Sequence, residues 1–88
     1  GLMEERPQKV VLNVQADIAH LFWECQWHPT QRLKPLQGGG VTVSFTAGGL
    51  EEIAGWVLSY GERVKVIAPA DLVRLVTKKL AKTLQRYP

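Results

Sequence analysis

The chain has 88 residues, of which 45% are apolar and 22% charged, with a net charge of +3. That is one small globular domain; no apolar run approaches the ~20 residues of a membrane-spanning helix, and the N-terminus (GLMEERPQKV) has no apolar stretch to serve as a secretory signal. A single cysteine, Cys25, excludes an internal disulfide and any multi-cysteine zinc site, and the default compartment is the reducing cytoplasm.

Residues 1–7 read as a polar tail ending at Pro7, a linker or tag remnant. Opening on Gly1 rather than Met suggests a cloning remnant or a piece of a longer protein. The domain proper is expected over residues 8–88. Residues 8–14 (QKVVLNV) predict a strand with Val10, Leu12 and Val14 on one face. Residues 16–25 predict a helix with Asp17 in its first turn and an apolar stripe of Ile18, Leu21, Phe22 and Cys25. His28-Pro29 stops it.

Residues 31–37 (QRLKPLQ) predict a weaker strand, which Pro35 assigns to a sheet edge. Gly38-Gly39-Gly40 predicts a hairpin turn. In VTVSFT (41–46), Val41, Val43 and Phe45 should be buried, and Thr42, Ser44 and Thr46 should form a polar face. Leu50 to Tyr60 predicts an amphipathic helix carrying Leu50, Ile53, Ala54, Val57 and Leu58 inward, with Gly61 just past its end. Residues 63–67 (RVKVI) predict the last strand. Pro69 suits the first turn of a long helix to about Arg86, burying Leu72, Leu75, Val76, Leu80, Leu84 and Tyr87.

The order β-α-β-β-α-β plus a helix predicts an α+β fold: a ferredoxin-like sandwich with an additional C-terminal helix. Its strand order, 4-1-3-2, puts the Pro35 and Lys65 strands at the edges. The last helix could then cap an edge, lie on the open sheet face or meet a partner.

Chemistry is sparse. Cys25 and His28 are spaced to share a metal or form a thiolate–imidazole pair, but Cys25 on the apolar stripe reads as a small core residue. The glycine run lacks a following Lys-Ser/Thr and leads into no helix, so it is not a phosphate loop. No catalytic residue, metal or cofactor is expected, and the chain is not expected to be an enzyme. Up to Glu62 there are four basic and seven acidic residues; from Arg63 onward there are seven basic and one acidic. The polar sheet face, with Arg32, Lys34 and Lys65, and the last helix, with Arg74, Lys78 and Lys82, are candidate phosphate or ligand contacts. With Phe45 on the core face, that surface lacks aromatic platforms for base stacking. Trp23, Trp27, Trp56 and Tyr87 are candidate interface residues. Trp23 leads them, because its helix has a full apolar face without it.

Three segments together carry a resemblance: Trp27-His28-Pro29-Thr30-Gln31; Gly39-Gly40 running into VTVSFT; and Trp56-Val57-Leu58-Ser59-Tyr60-Gly61 leading to Val64-Lys65-Val66-Ile67-Ala68-Pro69. The chain resembles the C-terminal extension, or WCX, domain of WYL-domain bacterial transcriptional regulators, over about residues 8–87. The resemblance implies a regulatory and dimerisation module that relays effector sensing, with a WYL domain and a DNA-binding helix-turn-helix in the same full-length chain. It implies a homodimer, DNA bound through the N-terminal domain, and no membrane. The family's ligand contacts lie mainly in the WYL part, so none carries over; His28 and Gln31 of the matching segment are expected to cap the turn before the second strand. The rival expectation is a ligand- or nucleic-acid-binding module using the basic patch.

Overall fold

The computed structural model describes residues 6–88, so the first five residues of the expected tail lie outside it. Four strands form one antiparallel sheet: β1 (Gln8–Val14), β2 (Arg32–Pro35), β3 (Val41–Ala47) and β4 (Val64–Ala68), in the order β2-β3-β1-β4. The Pro35 strand and the Lys65 strand are the two edges, as their composition demands. Among the described residues there are also three α-helices, α1 (Ala19–Glu24), α2 (Leu50–Leu58) and α3 (Ala70–Leu84), and two 3-10 turns, Ala16–Ile18 and Gly61–Arg63.

Register explains the core. Leu33, Val43, Leu12 and Val66 stand in one row across all four strands, and Val41, Val14 and Val64 in the next. Val10 lies opposite Phe45. A one-residue slip would turn this whole set to the other face, so burial fixes the pairing. Phe22 of α1, Leu50, Ala54 and Val57 of α2 and Leu72 of α3 close over that face, and all are buried. Each large side chain so covered contributes about 1.5–3 kcal/mol.

The connections follow local chemistry. Gly38 and Gly39 take φ of 92° and 98° in the β2–β3 turn, where a side chain would be strained. Gly40 matters for space instead: a Cβ there would come within 2.7 Å of the Val14 carbonyl oxygen. Gly49, at φ 75°, turns the chain from β3 into α2, and Glu51 and Glu52 follow in the first turn, where carboxylates favour the positive helix end.

Two expectations need correction. The first helix does not run unbroken over 16–25: Ala16–Ile18 is a 3-10 turn, and α1 ends at Glu24. The tighter turn shifts the phase, so Ala19 and Phe22 face the core, while Leu21 and Cys25 are exposed. Cys25 already has extended backbone. The second correction concerns α3, which begins one residue after Pro69 and packs on α2 and β4. Leu72 is buried and Leu75 and Val76 are half-buried, but Leu80 is 51% exposed, Leu84 73% and Tyr87 69%. Fifteen helical residues reach about 22 Å, whereas the five-residue β4 beside them spans roughly 16 Å. The helix outruns its support.

Two measurements check this packing. Leu72→Ala should cost about 2–5 kcal/mol in urea unfolding, while Leu84→Ala should stay within about 0.5 kcal/mol of the parent. Gly40→Ala should cost about 1–3 kcal/mol, because its new methyl meets backbone that cannot swing away; equal stability would mean the hairpin opens easily.

Candidate functional site

Three surfaces carry several of the residues singled out above. The first is an aromatic hollow at one end of the sheet. The α1–β2 loop lays Trp27 and His28 against β3 and α2. Trp27 sits 5.8 Å from Trp56 and 6.1 Å from Phe22, ring centre to ring centre. Trp56 also meets Phe45 at 6.1 Å and Tyr60 at 5.6 Å. The His28 ring stacks on Phe45 at 5.6 Å. These contacts surround a cavity of about 710 Å³, lined by Trp27, His28, Phe45, Glu52, Ile53 and Trp56 among others.

The loop that builds this wall is held by its own polar side chains. Gln31 accepts from the Trp27 N–H (3.0 Å) and donates to the carbonyls of Phe22 and Cys25 (both 3.3 Å). It therefore closes the C-terminal end of α1, where carbonyls lack helical partners. The Thr30 N–H donates to His28 Nδ1 (3.1 Å), and the Thr46 N–H of β3 donates to Thr30 Oγ1 (2.8 Å). His28 Nδ1 also lies 2.9 Å from Thr30 Oγ1. His28 and Gln31 thus cap the turn, as expected, and Nδ1 is committed to Thr30 rather than to Cys25.

The second surface is the open face of the sheet. Lys34, Thr42, Asn13 and Lys65 form one row across the four strands, with Arg32–Ser44 and Lys9–Thr46 beside it. Thr42 Oγ1 donates to Asn13 Oδ1 (3.0 Å). All four cations on this face are exposed, and no acidic residue lies on any strand. The rest of the candidate basic patch lies elsewhere. Arg74 and Lys78 line a hollow beside Leu50 and Glu51 in the helical layer, and Arg74 pairs with Asp71. Lys82 is exposed one turn further along. The six basic candidates therefore do not make one continuous site. Of the other cations, Lys79 pairs with Glu51 (2.9 Å) and Arg63 with Asp17 (2.8 Å). The hydrogen bond from Arg63 to Asp17, then the charges of Asp17 and Glu62, push the guanidinium pKa above its ordinary value.

The third surface is the outer stripe of α3. Val73, Val76 and Leu80 share a groove of about 560 Å³ with Val57, Leu58, Val64 and Val66. Leu84 continues the same stripe by helical spacing. Of the four interface candidates, the structure brings Trp27 and Trp56 together in the hollow. Trp23 is 53% exposed on α1, and Tyr87 lies past the end of α3; neither joins that cluster. The hollow itself was missed in the sequence. Its trace there is Glu52, Trp56 and Tyr60 at successive four-residue steps, which put three side chains on one side of α2 and its extension.

The chain is thus a small α+β module with one covered and one open sheet face, and with three surfaces free for contact. The profile of the WCX domain matches residues 6–84. The chain belongs to the WCX domain family. No curated protein matches it.

Gln31→Ala should loosen the loop: it removes one acceptor and two donated bonds, and should lower stability by about 1–2 kcal/mol. Near-ultraviolet circular dichroism should lose intensity with it as Trp27 swings off Trp56, and an unchanged spectrum would show that ring packing alone holds the loop.

Proposed function

We propose that this domain is the C-terminal regulatory and oligomerisation module of a WYL-type DNA-binding transcriptional regulator. It is not an enzyme; it works by association. Its scaffold is a ferredoxin-like βαββαβ unit with an added C-terminal helix. In the full-length chain a WYL domain senses the effector, a helix-turn-helix holds DNA, and this module joins two subunits in the cytoplasm and relays the sensed state.

Membership of the WCX family supports the setting. The observation that carries the association reading is the α3 stripe of Val73, Val76, Leu80 and Leu84, an apolar surface that continues outward from a groove beside β4. Exposed apolar surface in a contiguous run is characteristic of an interface. A second copy of the chain offers the same stripe, and twofold pairing of like surfaces is the commonest route to a homodimer. Tyr87, just past the end of α3, is available to widen the contact, and Trp23, exposed on α1, is a separate candidate contact. Sedimentation velocity should show a concentration-dependent dimer, and the double substitution Leu80→Glu with Leu84→Glu should return it to monomer without unfolding. A chain monomeric at every concentration would remove the self-association reading.

The open sheet face favours a second reading, an anionic ligand or single-stranded nucleic acid. Lys9, Arg32, Lys34 and Lys65, with no carboxylate on the strands themselves, make a field that attracts phosphate. Its lack of aromatic platforms argues for backbone contact without base stacking. Fluorescence anisotropy with a single-stranded oligonucleotide should then show affinity falling steeply between 50 and 200 mM salt, with a log–log slope of about −0.7 per phosphate neutralised. Lys34→Glu with Lys65→Glu should abolish it. Absence of binding at the lower salt would leave association alone.

A further inference from the structure

We propose that the hollow between Trp27, Trp56 and Phe45 binds a small organic cation with an alkylated ammonium head. The wall is built of π-systems: Trp27, Trp56 and Phe45, with the His28 ring stacked on Phe45. Aromatic faces carry negative potential and attract ammonium groups, tryptophan most strongly, and alkylated ammonium heads are the usual guests of such cages.

Charge points the same way. Glu52 is the one carboxylate among the lining residues, and no lysine or arginine joins it. It forms no ion pair with any described residue, whereas its neighbour Glu51 is engaged by Lys79. Glu52 lies one helical turn before Trp56, so carboxylate and indole rise on the same side of α2. A carboxylate unpaired among the described residues and set beside aromatic faces, in a chain that is otherwise net positive, selects a cation.

The competing guest would be an anion at the start of α2. Two observations oppose it. Glu51 and Glu52 already occupy the first turn and offset the helix dipole there. Gly49 and Leu50, at that helix start, already have partners. A purely apolar guest would fit Ile53 and Ala47 but would leave Glu52 facing it without a countercharge, at a desolvation cost.

The site is separate from the α3 stripe and from the open sheet face, so it stands or falls independently of the functional reading above. The test is a nuclear magnetic resonance titration of the 88-residue chain with choline. The control is its neutral isostere, in which a tert-butyl group replaces trimethylammonium. The indole N–H signals of Trp27 and Trp56 should shift together and saturate near a dissociation constant of about 1 mM, as a ligand of so few atoms allows. The Trp23 signal, on the outside of α1, should stay in place. The isostere should bind about tenfold more weakly or not at all. Glu52→Gln should weaken choline about fivefold, and Trp27→Leu, checked for a dispersed spectrum, should weaken it at least as much. Equal affinity for isostere and choline would overturn the proposal in favour of plain apolar binding. So would an unmoved Trp27–Trp56 pair at 100 mM choline, or a Glu52→Gln variant that binds as well as the parent.

Discussion

Burial of one sheet face under three helices is the constraint on which everything else here depends. Ten strand and helix side chains illustrate it: Val10, Leu12, Val14, Val41, Val43, Val64 and Val66 from the sheet, and Phe22, Val57 and Leu72 from above. In a chain of this size few apolar residues are available to offset the entropy of ordering the backbone. Most of those on the strands are therefore drawn to one side. The opposite sheet face is left mainly to Lys, Arg, Thr, Ser and Asn, with Val11 and Ile67 as its apolar members, and the sheet becomes two-sided in chemistry as well as in shape. Function must then be found on what the core does not use.

That division also explains why the free surfaces differ so sharply. The open sheet face inherits the alternate positions of each strand, so its cations come into cross-strand rows simply because the core residues are in register. The α3 stripe arises from a mismatch of lengths: the helix continues after β4 and α2 have run out. The aromatic hollow arises where a loop must cross the end of the sheet. There Gln31 and Thr30 satisfy backbone groups that would otherwise be stranded, and Trp27 and His28 supply the apolar cover.

Strands were the most legible part of the sequence. Alternation in QKVVLNV and VTVSFT, the glycine turn and Pro35 together identified three strands and the sheet's edges, since period-two burial is a local property of neighbouring residues. Helix burial was less legible. The residues of α3 have helical periodicity to Leu84, but periodicity shows which side is apolar and not whether anything covers it. Leu80 and Leu84 are apolar for the same reason as Leu72 and differ only in what lies opposite. For α1, the 3-10 turn at Ala16–Ile18 changed the rotation per residue, so a stripe read at constant helical pitch assigned Leu21 and Cys25 wrongly. The site residues were legible one at a time, while their grouping was not. Trp27 and Trp56 are 29 positions apart, and only the folded chain places them side by side. Arg74 and Lys65 are closer in sequence, yet the packing of α3 on α2 puts Arg74 beside Leu50 and Glu51 in the helical layer, where it pairs with Asp71 of its own helix.

This geometry bears on how such a module could carry a signal. A surface on α3 cannot be separated from β4, because Val64 and Val66 share its groove with Val73, Val76 and Leu80. β4 is paired along β1, and β1 is paired along β3. The β1–β4 ladder changes register between Val11 and Leu12, and such irregularities bend a strand and break the evenness of its pairing. The irregular ladder therefore falls on the edge strand that α3 packs against, while the β1–β3 ladder runs in unbroken register. The centre of the sheet is evenly paired, and the apolar stripe of α3 lies beside the one edge strand whose ladder is uneven.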